Sequence, residues 1–260
     1  NDDAERYARL AGDIRVAFNQ RFVRPDGRIA SDNQSVYGLA LHFDLLPEEQ
    51  RPLAVRHLLR KIEEYNQHIS TGIQATHRMM LELARWGHPE VAYQLLTNRT
   101  IPSWGYMIDQ GATTIWERWD GWVEGRGFQN PGMNSFNHYA FGSVGEWMFR
   151  HILGIQPDPE HPAYRHFVIH PLPGGGLTYA KGSLDTLQGT IRISWKRVDQ
   201  SFEMECAVPP NSTAAVYVPS SDPEKISEKN GRLSQPPRFE NGYFMMELPA
   251  GNYHFATELK

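Results

Sequence analysis

Residues 111–128 carry Trp116, Trp119 and Trp122 at a spacing of three, with Glu117, Asp120 and Glu124 threaded between them. A helix built only for packing would use Leu and Ala at these places. Gly111, Gly121, Gly125 and Gly127 would each weaken a long helix here. Indole faces stack on the apolar faces of a pyranose ring. Carboxylates bond its hydroxyls and move protons. The combination points to a site that cleaves sugars, and the alternative on composition alone is a buried aromatic cluster with surface acids.

Two further segments have compatible chemistry. Asn134-Ser135-Phe136-Asn137-His138-Tyr139 crowds amides, a histidine and aromatics ahead of a helix. Ser135 or Asn137 there could serve as an N-cap, and His138 is open between a ligand contact and a satisfied core histidine. His68-Ile69-Ser70-Thr71-Gly72 is small and polar, and its glycine would let a substrate approach closely. Other motifs are silent. Gly174-Gly175-Gly176 lacks the Gly-Lys-Ser/Thr ending of a phosphate loop and reads as a turn. His161, His166 and His170 lack paired-ligand spacing for zinc. The one cysteine, Cys206, can form neither an internal disulfide nor a thiolate cluster, and reads as a small buried hydrophobe.

The elements that must position these residues follow from periodicity. Helices are expected over residues 3–20, 35–46, from Pro47 through Ile62, 72–86, 90–96 and 137–152, with Gly154 capping the last. Tyr7, Leu10, Ala11, Ile14, Ala17 and Phe18 form the inward stripe of the first helix, and Ile73, Met79, Met80 and Leu83 that of the fourth. From Phe167 onward the pattern changes to period two, as in Thr190–Lys196 and Ala214–Val218, with turns at Pro209-Pro210-Asn211, Asn230-Gly231 and Asn241-Gly242. Helices thus fill residues 1–157 and strands residues 158–260. The β part reads as a packing module, the alternative being a carbohydrate-binding module with Trp195 or Tyr217 as its platform.

A chain of 260 residues with 40% apolar content can bury a sizeable core. The net charge of -4 is spread without blocks, so no basic patch calls for nucleic acid. No run reaches the roughly 18 apolar residues of a membrane helix. Asn1-Asp2-Asp3-Ala4-Glu5 has neither an initiator Met nor a signal pattern, and reads as the first turn of a helix. The compartment stays open between cytoplasmic and periplasmic or secreted.

Gly111-Ala112-Thr113-Thr114-Ile115-Trp116-Glu117-Arg118-Trp119, followed by Ser135-Phe136-Asn137-His138-Tyr139-Ala140-Phe141-Gly142-Ser143, resembles the bacterial α-L-rhamnosidases of glycoside hydrolase family 78. The resemblance covers essentially the whole chain. It implies part of an (α/α)6 barrel over 1–157 and a small antiparallel β-sandwich over 158–260. It implies an inverting hydrolase that releases terminal α-L-rhamnose from a rhamnose-containing glycoside; no cofactor is expected, and although the family can hold a calcium ion, no acidic loop here argues for a metal. Glu117 is then the general base and His138 a rhamnose-binding residue. Trp116, Trp119, Asp120 and Asn137 join the substrate-binding set. The family's general acid sits in an earlier acidic stretch that this chain does not have, and Asp120 or Glu124 is the option within the chain. Six or seven helices also cannot close a ring of six helix pairs. The expectation is therefore the C-terminal part of a longer enzyme, partnered by the missing N-terminal part of the same polypeptide or else by a second copy. Two other readings stay open: a catalytically incomplete sugar-binding or folding unit, and another (α/α)6 glycosidase.

Overall fold

In the computed structural model, which describes residues 2–230, 233 and 236–259, the chain opens on helix α1, Asp2–Phe22. Asp2, Asp3 and Glu5 sit in its first turn, where the helix dipole favours acids. The apolar stripe expected to face inward is exposed instead. Tyr7, Leu10 and Ile14 keep 56, 49 and 51% of their surface, and no residue of α1 is buried. The reason is that no other helix of its unit packs along α1.

The helical core is built by α2 (Gln34–His42), α3 (Arg51–Glu64), α4 (Thr76–Arg85), α5 (Pro89–Thr97) and α6 (Trp104–Asp109). Asn33 caps α2 by accepting from the Val36 N–H. Pro47 opens a 3-10 turn, Glu48–Gln50, that runs into α3. Pro89 stands in the first turn of α5, where its missing N–H costs nothing. α2 packs on α3 and α4, α4 on α5, and α5 on α6. Tyr37, Leu41, Leu58, Met79, Met80, Leu83 and Tyr93 fill the space between them. Each such side chain stabilises the fold by roughly 1.5–3 kcal/mol relative to exposure.

Two helix boundaries differ from the periodicity. α4 starts at Thr76 rather than Gly72, because the Ala75 and Thr76 N–H groups both close back on the Gly72 carbonyl, and this turn leaves Ile73 exposed. The helix expected over 137–152 is a 3-10 turn (Ala140–Ser143), then α7 (Val144–Trp147), then a π-helical turn (Met148–Leu153). Residues 110–139 contain only a two-stranded ribbon, β1 (Trp122–Val123) with β2 (Gly127–Phe128), and one 3-10 turn. Among the described residues no helix is long and apolar enough to cross a membrane.

The chain divides into two compact units, Asn1–Val144 and Gly145–Lys260. The second holds one eight-stranded sheet: β3 (Ile155–Pro157), β4 (His166–Ile169), β5 (Tyr179–Thr186), β6 (Gly189–Val198), β7 (Ser201–Pro219), β8 (Ile226–Glu228), β9 (Arg238–Glu240) and β10 (Tyr243–Glu258). The long strands β7 and β10 pair antiparallel over their whole length. The first half of β7 also carries β6 and β5, and its second half carries β4. β4 runs parallel to β7, because β5 and β6 intervene and the chain must cross over. The expected antiparallel module is therefore a curled mixed sheet. Of the expected turns, Asn230-Gly231 reaches Gly231, which lies outside the described residues, as does Asn1 at the start.

Strand parity explains the core of this unit. Phe202, Met204, Cys206, Val208, Ser212, Ala214, Val216 and Val218 are all even-numbered and all buried. The alternation of β7 is interrupted at Pro209-Pro210, where Pro209 is buried and Pro210 exposed, and resumes at Ser212. β10 holds Phe244 and Leu248 inward, passes an irregularity between Pro249 and Gly251, and then turns Tyr253, Phe255 and Thr257 inward. Residues 209–212 of β7 lie opposite residue 250 of β10 alone, and this unequal count lets β10 change face, as a bulge does. Trp195 is 2% exposed and donates its indole N–H to the Ile152 carbonyl, so it is a core residue and not a sugar platform. Tyr217 stacks on His170 at 4.5 Å.

Gly154 ends the π-helical turn with φ at +89°, and a Cβ there would lie 2.3 Å from the Pro171 nitrogen. Gly154→Ala is expected to destabilise the unit by roughly 1–3 kcal/mol, read as a lower urea midpoint; an unchanged midpoint would refute the close approach. Burial pushes the His151 and His170 imidazoles down from the usual 6.5 to about 4, His151 with further help from the Arg150 and His170 charges. Both are neutral in the folded unit and bind protons once it unfolds. Their contribution is therefore complete above pH 6.5 and is lost as pH falls toward 4, on the order of 3 kcal/mol for each. Thermal melts between pH 7 and 4 should show this slope, and His151→Gln with His170→Gln should flatten it.

Candidate active site

The irregular run 110–139 exposes many backbone donors and acceptors, and each buried one needs a partner. The two motifs of the sequence supply partners to each other. The Glu117 N–H donates to the Ser135 carbonyl at 2.9 Å, and the Ser135 N–H donates to Glu117 Oε2 at 2.8 Å. The His138 N–H donates to the Ile115 carbonyl at 2.8 Å, and the Thr114 hydroxyl donates to the Phe136 carbonyl. Asn134 Nδ2 donates to the Gly121 and Gln129 carbonyls. Glycine at 121 leaves room for the Asn134 amide, since a Cβ there would fall 2.7 Å from Asn134 Oδ1 and require that side chain to shift. Five contacts thus fasten 114–121 to 134–138.

Glu117 lies in the middle of this joint, half-buried. Its Oε2 is held by the Ser135 N–H, while Oε1 has no hydrogen-bond partner among the described residues. Arg118 turns away to Asp120, in a bidentate pair at 2.9 and 3.0 Å. That hydrogen-bonded guanidinium holds the Asp120 carboxyl below the usual carboxylate range. His138 Nδ1 accepts from the Ala140 N–H at 3.3 Å, so the neutral ring carries its proton on Nε2. Its ring stacks on Tyr139, which is 86% exposed. Asn137 is exposed beside it, with its N–H on Ser135 Oγ.

The tryptophans have separate duties. Trp116 is 4% exposed and meets Phe136 edge-on at 5.0 Å. With Trp122, Phe128 and Phe136 it lines a recess of about 310 Å³ that Glu117 does not line. Trp119 stacks on Phe141 at 3.9 Å, meets Trp104 edge-on at 5.0 Å, and donates its indole N–H to the Thr71 carbonyl at 2.8 Å. This last bond brings the third segment, 68–72, to the other two. Glu124 is exposed, and its backbone N–H donates to the Tyr106 hydroxyl.

Several positioning residues escaped the sequence reading. Gln34, 1% exposed, donates to the His68 and Lys61 carbonyls and accepts from the Ser70 N–H, pinning the 68–70 segment to α2. Its only signal was an amide directly after the Asn33 cap. α6 was also missed, although Ser103 caps it by accepting from the Tyr106 N–H. His68 is bonded at both ring nitrogens, to the Asn66 carbonyl and the Thr100 hydroxyl, and so positions the loop. Among the described residues no group of three or more His, Cys, Asp or Glu is arranged to hold a metal.

The family profile described as the bacterial alpha-L-rhamnosidase 6 hairpin glycosidase domain matches residues 1–152, more than half of the chain. The chain belongs to the bacterial α-L-rhamnosidase family. The profile of that family's C-terminal domain matches residues 154–233. Another (α/α)6 glycosidase family is thereby ruled out, and the helical unit is part of a six-hairpin glycosidase domain. Among curated relatives, the alpha-L-rhamnosidase of Streptomyces avermitilis is 43% identical over 98% of this chain and 24% of its own length. That of Formosa agariphila is 39% identical over 86% of this chain and 24% of its own. The chain spans about a quarter of the length of these relatives. Among solved structures, the chain superposes on the Streptomyces avermitilis alpha-L-rhamnosidase complexed with L-rhamnose with a TM-score of 0.91 and 42% identity. The match covers 99% of this chain and 24% of that one. The α-L-rhamnosidase from Dictyoglumus thermophilum gives 0.86 and 34%, over 100% of this chain and 29% of that one.

The joining of segment 68–72 to the candidate site rests on the Trp119 bridge. Trp119→Phe keeps the stack on Phe141 but removes the shorter of two hydrogen bonds to the Thr71 carbonyl, which also accepts from the Thr76 hydroxyl at 3.4 Å, and is expected to cost about 1 kcal/mol. Trp119→Ala also removes the ring contacts, and roughly 3 kcal/mol is expected. Urea titrations check both, and a Trp119→Phe midpoint equal to that of the parent would disprove the bridge.

Proposed function

We propose that this chain supplies the general-base side of an active site that releases terminal α-L-rhamnose from glycosides with inversion. Glu117 is the base. The observation that carries this reading is the Glu117 carboxylate, pinned through Oε2 by the Ser135 N–H at 2.8 Å with Oε1 left unpaired. A base needs one oxygen fixed for aim and one available for the proton. The names of the relatives support the substrate class, above all the 42% identical enzyme crystallised with L-rhamnose.

In this mechanism Oε1 takes a proton from a water whose oxygen bonds to the anomeric carbon. The bond from that carbon to the glycosidic oxygen breaks, and a general acid protonates the departing oxygen. Inverting enzymes hold their two carboxyl groups roughly 6.5–9.5 Å apart to admit the water. Asp120 is poorly suited to be the acid, because Arg118 holds its carboxyl below the usual range and so keeps it ionised near neutral pH. The acid is assigned to a segment outside this chain, in keeping with the chain's quarter share of its relatives' length.

Substrate contacts fall to residues around the same joint. His138 offers its Nε2–H to a sugar hydroxyl, and Asn137 lies exposed beside it. Asp120 presents a carboxylate already oriented by Arg118. Trp119 retains exposed surface for stacking, whereas Trp116 serves chiefly to hold the joint from behind.

The test is Glu117→Gln in an enzyme of the relatives' full length that carries this sequence. Turnover of an aryl α-L-rhamnoside is expected to fall about 10²–10⁴-fold with little change in KM. Activity within a factor of a few of the parent would sink the assignment.

A further inference from the structure

The outward face of the second unit is not flat. β5, β6, β7 and β10 are in register so that their exposed residues form cross-strand rows. One row is Ser183–Arg192–Ala207–Asn252, and the next is Lys181–Ser194–Glu205–His254. A third begins with Lys196–Glu203. Small side chains at Ser183, Ser194 and Ala207 leave the middle hollow, while long ones rise around it. The result is a recess of about 850 Å³, well within the size of small-molecule sites.

Charge in this recess is unbalanced. Glu203 is matched by Lys196 at 3.1 Å and Lys229 at 3.4 Å. Glu205 faces Ser194 Oγ at 3.4 Å and His254 Nδ1 at 3.6 Å. Arg192 and Lys181 line the same recess, and their side chains have neither an ion pair nor a hydrogen bond to a described residue. Arg192 lies between Ser183 and Ala207 in its row, with no carboxylate opposite. An unpaired guanidinium offers two parallel donors that fit a carboxylate or sulfate. The hydroxyls of Ser183 and Ser194 and the amide of Asn252 fit sugar hydroxyls. An adjoining recess of about 250 Å³ shares Lys181, Ser194 and Glu205 and is edged by Tyr179, whose ring is 70% exposed and can stack on a pyranose.

We propose that this recess is a second saccharide site, separate from Glu117, that binds an acidic oligosaccharide through Arg192 and Lys181. A long polyanion such as nucleic acid fits less well, because the chain as a whole carries a net charge of -4 and the cations are confined to one hollow. The proposal does not depend on the assignment of Glu117, since its readout is binding and not turnover.

Calorimetric titration of the chain with tetragalacturonate, with its methyl ester and with a sulfated tetrasaccharide tests it. The acid is expected to bind at least about tenfold more tightly than the ester. Arg192→Ala and Lys181→Ala should each weaken binding by a similar factor. Both positions are exposed, and thermal melts should be unchanged. Ser183→Tyr, which fills the hollow and alters no charge, should abolish binding, whereas general ionic attraction would survive it. Binding of the sulfated probe alone would keep the site and identify sulfate as the anion. Equal binding of acid and ester, binding indifferent to Arg192→Ala, or no binding of any probe at millimolar concentration would overturn the proposal.

Discussion

The reciprocal bonding of Glu117 and Ser135 is the constraint on which the candidate site depends. Thirty residues outside helices cannot leave their buried peptide groups unpaired, and here the two irregular motifs pair with each other. The same contacts that satisfy the backbone also set the aim of a carboxylate. The arrangement couples stability to chemistry: whatever loosens 134–138 also frees Glu117. Catalytic groups on loops gain precision only when the loop is over-determined in this way.

The tryptophans show how one residue type divides between tasks. Trp116 faces Phe136 and is sealed from solvent, while Trp119 is wedged between Phe141 and Trp104 and tied to Thr71. An indole is large and has a single donor, so it can fill space and settle one buried carbonyl together. The Thr71 carbonyl, at the edge of the segment that Gln34 holds in place, accepts from both the Trp119 indole and the Thr76 hydroxyl. Three pieces of chain far apart in sequence therefore meet through Trp119 and Glu117, which the sequence had marked for their chemistry and which here also hold the loops together.

The second unit solves a different problem. A sheet that curls must keep one face inward while its strands bend. β7 passes Pro209-Pro210 with Pro209 buried and Pro210 exposed and regains its inward face at Ser212, and β10 changes face at the Pro249–Gly251 irregularity. The inner face is then mostly apolar, with Ser212 and Thr257 as polar members and Cys206 inert because burial pushes its thiol up to about 12. The outer face is released from packing and carries alternating charges and small residues.

Much of this was legible in the sequence. Period 3.6 located α2, α3, α4 and α5, period two located β6, β7 and β10, and Gly154 announced a left-handed cap, because these signals are local. The irregularity of 111–128 was also local, since four glycines among three tryptophans oppose a helix. Other features were not legible. The exposure of α1 could not be read, since an apolar stripe does not say whether anything lies against it. The start of α4 turns on two N–H groups closing on the Gly72 carbonyl, and the parallel placement of β4 on pairing with a strand far along the chain. Sequence by itself determined which residues are chemically able to serve: Glu117, His138, Asn137 and the indoles. Only the tertiary structure decided that Ser135 holds one oxygen of Glu117, that Arg118 is spent on Asp120, and that Trp195 is core. The first and last of those outcomes depend on partners 18 and 43 residues away, whose approach is set by packing and not by local pattern.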